Sequence, residues 1–154
     1  MKTVVDTNIW ISALPGGRSA LPVLQAWREN KFIVIVSQPL IDEFDEVRQR
    51  SRLKKYINQD HAEILLKQLY QRGKMVNLQT VPPLCRDPKD HPVLATATDG
   101  QADAIVSGDK DLQADDELRS AMERHGVKIW SIRDLLSELS NQNSVNQINH
   151  RSEK

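Results

Sequence analysis

Four acidic side chains stand where a chain of this kind could use them together: Asp6, Glu43, Asp90 and Asp109. Asp6 directly follows the apolar run Thr3 to Val5, and Asp109 follows Ala104 to Val106 through Ser107 and Gly108. Glu43 falls in the early turns of a helix that begins after Phe32 to Val36, and Asp90 begins the helix that precedes Ala104. Gathered within a few ångströms, such carboxylates would repel one another and destabilise the fold unless a cation sat among them. Oxygen donors without a convergent set of histidines or cysteines favour a hard ion, Mg²⁺ or Mn²⁺, over Zn²⁺. A hard ion of that type orients and deprotonates water for attack on phosphorus and neutralises the leaving oxygen. Metal-assisted hydrolysis of a phosphate ester is therefore the chemistry this set suggests.

The elements that must position these acids alternate. Strand-like runs at Thr3 to Val5, Phe32 to Val36, Met75 to Leu78, Ala104 to Val106 and Val127 to Trp130 are separated by helix-like segments. Ser19 and Ser37 are placed to cap two helices, Asp60 with Glu63 to open a third, and Gly73, Gly100 and Gly126 to end helices. Short β-branched runs alternating with helices imply a parallel sheet, and right-handed crossovers place helices on both of its faces. The expected fold is a three-layer α/β/α sandwich around about five parallel strands. In such sheets the functional cleft lies beyond the carboxyl ends of the strands, which is where Asp6 and Asp109 fall. Asp90 reaches that edge if its loop folds back to it.

Each acid also has a structural reading, because aspartates at helix starts are common caps. Asp87 before Pro88 suits an N-cap, although Pro92 allows a turn instead, with the helix starting at Asp90 or His91. Asp111, Asp115 and Asp116 suit the next helix start. His91 reads as a solvated side chain rather than a ligand, and Cys85 as a packing residue. The run Arg48, Arg50, Arg52, Lys54 and Lys55 can hold phosphates or can be a solvated surface.

Composition limits the classes. The 154 residues carry 21 basic and 21 acidic side chains, so net charge does not advertise a nucleic-acid partner and any such binding must be local. A single cysteine excludes an intramolecular disulfide, which fits a reducing compartment, and no apolar run is long enough to cross a bilayer. An aspartate at position 6 interrupts any signal-peptide core, and a cytoplasmic location is expected. Residues 1–140 read as one domain, and residues 141–154, polar and almost without large apolar side chains, as a disordered tail.

Four motifs in order resemble the PIN-domain nucleases, and especially the VapC-like toxins of bacterial toxin–antitoxin pairs. They are Val4-Val5-Asp6-Thr7-Asn8, Ser37-Gln38-Pro39-Leu40-Ile41-Asp42-Glu43-Phe44, Arg86-Asp87-Pro88-Lys89-Asp90 and Ile105-Val106-Ser107-Gly108-Asp109-Lys110-Asp111-Leu112. The resemblance spans roughly residues 1 to 138. It implies that Asp6, Glu43, Asp90 and Asp109 form the metal-binding set, with Asn8 and Ser107 as polar supports. It also implies an RNA substrate, a homodimer, and an antitoxin that inserts into the site. Two other classes remain open at this point. One is an inactive RNA- or partner-binding module on the same fold. The other is a Mg²⁺-dependent phosphatase or receiver-like protein, although Asn8 stands where a phosphatase of the haloacid-dehalogenase type needs a second aspartate, and no P-loop is present.

Overall fold

A computed structural model describes residues 1–14, 20–79 and 88–152, with side chains described as far as residue 144. Five strands form one all-parallel sheet: β1 (Lys2–Val5), β2 (Ile33–Val36), β3 (Lys74–Met75), β4 (Ala104–Val106) and β5 (Lys128–Trp130), in the spatial order β3-β2-β1-β4-β5. β1 is central, with Thr3, Val4 and Val5 in register with Ala104, Ile105 and Val106. The expected α/β/α sandwich of about five parallel strands is the observed architecture. The edge strand is shorter than the run Met75 to Leu78 suggested. After Met75, pairing continues only through the Val76 amide to the Val36 carbonyl.

Alternation along the strands divides the core in two, as the pleat requires. Val5, Val34, Val36 and Val106 face one layer, where they meet α1 (Thr7–Ala13), α2 (Leu21–Arg28), α3 (Gln38–Arg48) and α5 (Gln59–Arg72). Trp10 of α1 and Trp27 of α2 pack there with ring centroids 5.2 Å apart. Val4, Ile35, Ile105 and Ile129 face the other layer, formed by α6 (His91–Asp99), α7 (Lys110–Ala114) and α8 (Asp116–Arg124). The short α4 (Ser51–Lys54) links α3 to α5. The last helix, α9 (Ile132–Ser152), returns to the first layer through Leu135 and Leu139.

Helix starts account for the main departures from the sequence reading. Asp60 and Glu63 do not open α5: Asn58 does, its Oδ1 accepting the amides of Asp60 at 3.0 Å and His61 at 3.1 Å. Pro88–Asp90 form a single 3₁₀ turn and α6 begins at His91 with Pro92 in its first turn, the second of the two registers that Pro92 allowed. Asp87, Cys85 and the Ser19 cap lie outside the described residues. Backbone helix runs through residues 141–152, where composition alone suggested no regular structure. The composition argument concerns burial. Once Leu135 and Leu139 have fixed the start of α9 in the core, each further residue adds one hydrogen bond without a new nucleation cost.

Candidate active site

The sheet delivers the acids to one edge. Asp6 is the first residue beyond β1, its amide donating to the Val106 carbonyl at 2.9 Å, so the carboxyl ends of β1 and β4 are stitched together at that point. Although Asp6 occupies the N-cap of α1, its carboxylate makes no cap bond. It instead accepts the Ser107 hydroxyl on Oδ2 at 2.9 Å. That direction of the side chain argues against the capping reading. Ser107 is fully buried, and its hydroxyl oxygen also accepts the Asp109 amide at 3.0 Å. One serine thereby holds the aspartates that follow both central strands.

Glu43 enters from the second turn of α3. The Thr7 hydroxyl donates to its Oε2 at 3.1 Å, and Thr7 is 3% exposed, so this support is fixed by packing. α3 is itself anchored beneath the site. Thr96 of α6 donates its hydroxyl to the Pro92 carbonyl, so the contact between Ser37 and Thr96, at 2.7 Å, must have Ser37 as donor. α6 leads into the amino end of β4, so its own first turn, with Asp90 beside it, starts from the carboxyl side of the sheet.

Burial is the main cause that raises the Asp6 carboxyl above its ordinary pKa; the Ser107 and Thr7 hydrogen bonds oppose it, and the charge of Asp109 adds to it. Glu43 is raised in the same way, first by burial and then by the charge of Asp6, against the Thr7 hydroxyl and the positive Arg50. Asp6 is thus acted on by Asp109 and itself acts on Glu43. Asp109 uses Oδ1 to cap α7 through the amides of Asp111 and Leu112, so its capping reading is correct for one oxygen. Its Oδ2 makes no hydrogen bond among the described residues.

Among the described residues, no three Asp, Glu, His or Cys side chains stand close enough to hold an ion by themselves. What the fold establishes is a shared edge and the mutual repulsion of Asp6 with Asp109 and with Glu43. A divalent cation fits this donor set chemically. The set is all oxygen, and a positive charge would relieve the repulsion and desolvation that raise Asp6 and Glu43.

Sequence reasoning missed two residues that hold the site. Asn8 is exposed and makes no side-chain hydrogen bond among the described residues; Thr7, its neighbour, supports the site instead. Gln113 was also missed: its Nε2 donates to the Ser107 carbonyl at 2.6 Å, and Arg119 in turn donates to the Gln113 carbonyl. Asp111 points its side chain to solvent, and Asp115 caps α8 through the Leu118 amide.

The family profile for the PIN domain matches residues 2–111, a span that includes all four acids. The chain belongs to the PIN domain family. PIN domains are in general metal-dependent nucleases. The chain is 30% identical over 115 residues to the uncharacterized protein MJ1680 of Methanocaldococcus jannaschii, covering 73% of each. It is also similar to the solved structure of a PilT N-terminus domain protein, SSO1118, from Sulfolobus solfataricus P2. That similarity has a TM-score of 0.49 and 18% identity, over 90% of this chain and 93% of the other. No helix among the described residues is long and apolar enough to cross a membrane.

Proposed function

We propose that this PIN domain is an endoribonuclease that hydrolyses RNA phosphodiester bonds with Mg²⁺ or Mn²⁺ held by Asp6, Glu43, Asp90 and Asp109. The observation that carries the reading is the Asp6 carboxylate. It turns away from the cap position it occupies, is held by Ser107, and is raised by burial and by Asp109. A group kept in that state contributes nothing to helix capping and is suited to a cation. When bound, the ion supplies an activated water and neutralises charge on the phosphoryl oxygens. The chain's own residues hold the ligands still: Ser107 fixes Asp6 and the Asp109 backbone, Thr7 fixes Glu43, and Gln113 fixes the Ser107 carbonyl.

The family resemblance extends the proposal to the toxin of a toxin–antitoxin pair. In that setting the chain works in the cytoplasm as a homodimer and is silenced by an antitoxin that enters the site. A small neighbouring reading frame whose product co-purifies with the chain would support that extension.

Asp6→Asn tests the catalytic reading. The substitution keeps shape and can still accept from Ser107, but removes the charge. Cleavage of single-stranded RNA should fall by about 10²-fold or more, the equivalent of losing several kcal/mol of charge stabilisation. Metal-dependent cleavage persisting in purified Asp6→Asn, and absent from an Asp6→Asn/Asp109→Asn control, would overturn the assignment.

A further inference from the structure

The basic run from Arg48 to Lys55 is not one surface. Arg48, with its side chain 11% exposed, is bound by Asp45 at 2.7 Å, Glu63 at 2.8 Å and the Gln59 side chain at 2.9 Å, and it joins α3 to α5. Arg50 forks onto Glu46 with contacts of 3.0 and 2.8 Å. Neither is open to a phosphate without losing a partner. Arg52, Lys54 and Lys55 are exposed and make no ion pair among the described residues. Arg52, Lys54 and Lys55 thus leave local positive charge here although the whole molecule is neutral.

Beside these cations stands an aromatic ring that packing does not use. Tyr56 is 72% exposed, the largest exposure among the large hydrophobic side chains described, and Lys55 Nζ lies 5.1 Å from its ring centroid. The turn that presents it is ordered. The amides of Tyr56 and Ile57 both donate to the Leu53 carbonyl, and Ile57 packs against the core. The surface follows directly on the element that carries Glu43: α3 ends at Arg48, Arg50 opens α4, and the charge of Arg50 acts on Glu43.

We propose that Arg52, Lys54, Lys55 and Tyr56 form a docking surface for single-stranded RNA flanking the acidic edge, the cations taking backbone phosphates and Tyr56 stacking on a base. The proposal rests on the ribonuclease reading for its substrate, and it names where that substrate is held. Exposed cations with an exposed ring beside them are the combination that single strands require, because every base offers a π-face and every linkage a charge. A duplex offers the charge without the free face.

The test is fluorescence anisotropy with a short labelled single-stranded RNA in EDTA, so that nothing is cleaved, across a salt series. The triple variant Arg52→Ala/Lys54→Ala/Lys55→Ala should bind more weakly, with the slope of log K against log salt reduced by about 2, close to 0.7 for each lost phosphate contact. Tyr56→Ala should weaken single-strand binding by about 5-fold or more and leave duplex binding unchanged, while Tyr56→Phe binds as wild type. All four side chains are exposed, and unchanged melting temperatures will show that folding is retained. Wild-type affinity and salt slope in both the triple variant and Tyr56→Ala would overturn the proposal. Its failure is separable from failure of the ribonuclease reading. A wild-type chain that binds RNA through these residues but cleaves none with Mn²⁺ defeats only the nuclease. One that cleaves while the variants bind and cleave equally well defeats only the surface.

Discussion

Ser107→Ala removes one oxygen from a fully buried side chain and with it two contacts, each of known geometry. A hydrogen bond to an ionised group contributes about 1.5–3 kcal/mol, and a buried amide left without its acceptor costs about 1–3 kcal/mol. The Asp109 amide is only partly buried, and water can recover some of that cost, so the lower end applies to it. About 3 kcal/mol of destabilisation at pH 7 without metal follows, or roughly 6–12 °C in melting temperature for a chain of this size. The effect must also depend on pH. The Ser107 bond stabilises ionised Asp6 and so lowers a carboxyl that burial has raised. Wild type and variant therefore differ least when Asp6 is protonated in both. The difference grows as pH rises through and above the raised Asp6 value.

Urea or thermal unfolding in EDTA at pH 4 and pH 7 measures both quantities, and a double-mutant cycle with Asp6→Asn isolates the charged part as a coupling near 1 kcal/mol. A loss under about 1 kcal/mol at pH 7, or strict additivity with Asp6→Asn, would refute the claim that Ser107 holds an ionised Asp6.

Because Asp6 and Glu43 are raised from 3.8 and 4.5, each prefers the folded state when protonated, so metal-free stability should fall as pH rises from those values through the raised ones. Mn²⁺ at a hundred times its dissociation constant should restore about 2.7 kcal/mol at pH 7, and a melting temperature unmoved by millimolar Mn²⁺ would count against a shared ion. Deleting residues 141–154 should leave folding intact, since Leu135 and Leu139 remain to seat α9; loss of the cooperative melt would show that the helical extension is part of the core. Asp109→Asn should abolish cleavage while shifting stability by under about 1 kcal/mol, because asparagine caps α7 nearly as well; a large loss of stability would make Asp109 chiefly a cap.

The strands were legible because runs such as Val34–Val36 and Ala104–Val106 are buried on both faces and read as continuous apolar segments. The acids at their carboxyl ends were legible for the same reason: topology alone places residues 6 and 109 side by side once the strands are parallel and adjacent. What topology does not specify is side-chain direction. Asn8 and Thr7 are neighbours in the first turn of α1, and only the helical register decides that Thr7 turns inward to Glu43 while Asn8 faces solvent. Gln113 was hidden differently. It lies six residues beyond the serine it supports, across an intervening helix start, and a glutamine in that place carries no pattern of its own. The N-terminus of α5 was misread because Asp60 and Glu63 satisfy the spacing of a capping box while Asn58, two residues earlier, supplies the cap.

Capping and metal binding are commonly treated as rival explanations of an aspartate at a helix start, yet Asp6 and Asp109 show that the choice is made oxygen by oxygen. Both follow central strands, and both stand at the N-cap of the next helix. Asp109 gives Oδ1 to α7, and its charge acts on Asp6. Asp6 makes no cap bond to α1 beyond the Thr7 amide that begins it, and its Oδ2 accepts the Ser107 hydroxyl instead. The burial of Asp6 is opposed by the Ser107 hydroxyl and the Thr7 amide, and the charge of Asp109 adds to it. On the metal-binding proposal, a cation at this edge therefore gains most from Asp6, whose burial is offset only by the Ser107 hydroxyl and the Thr7 amide.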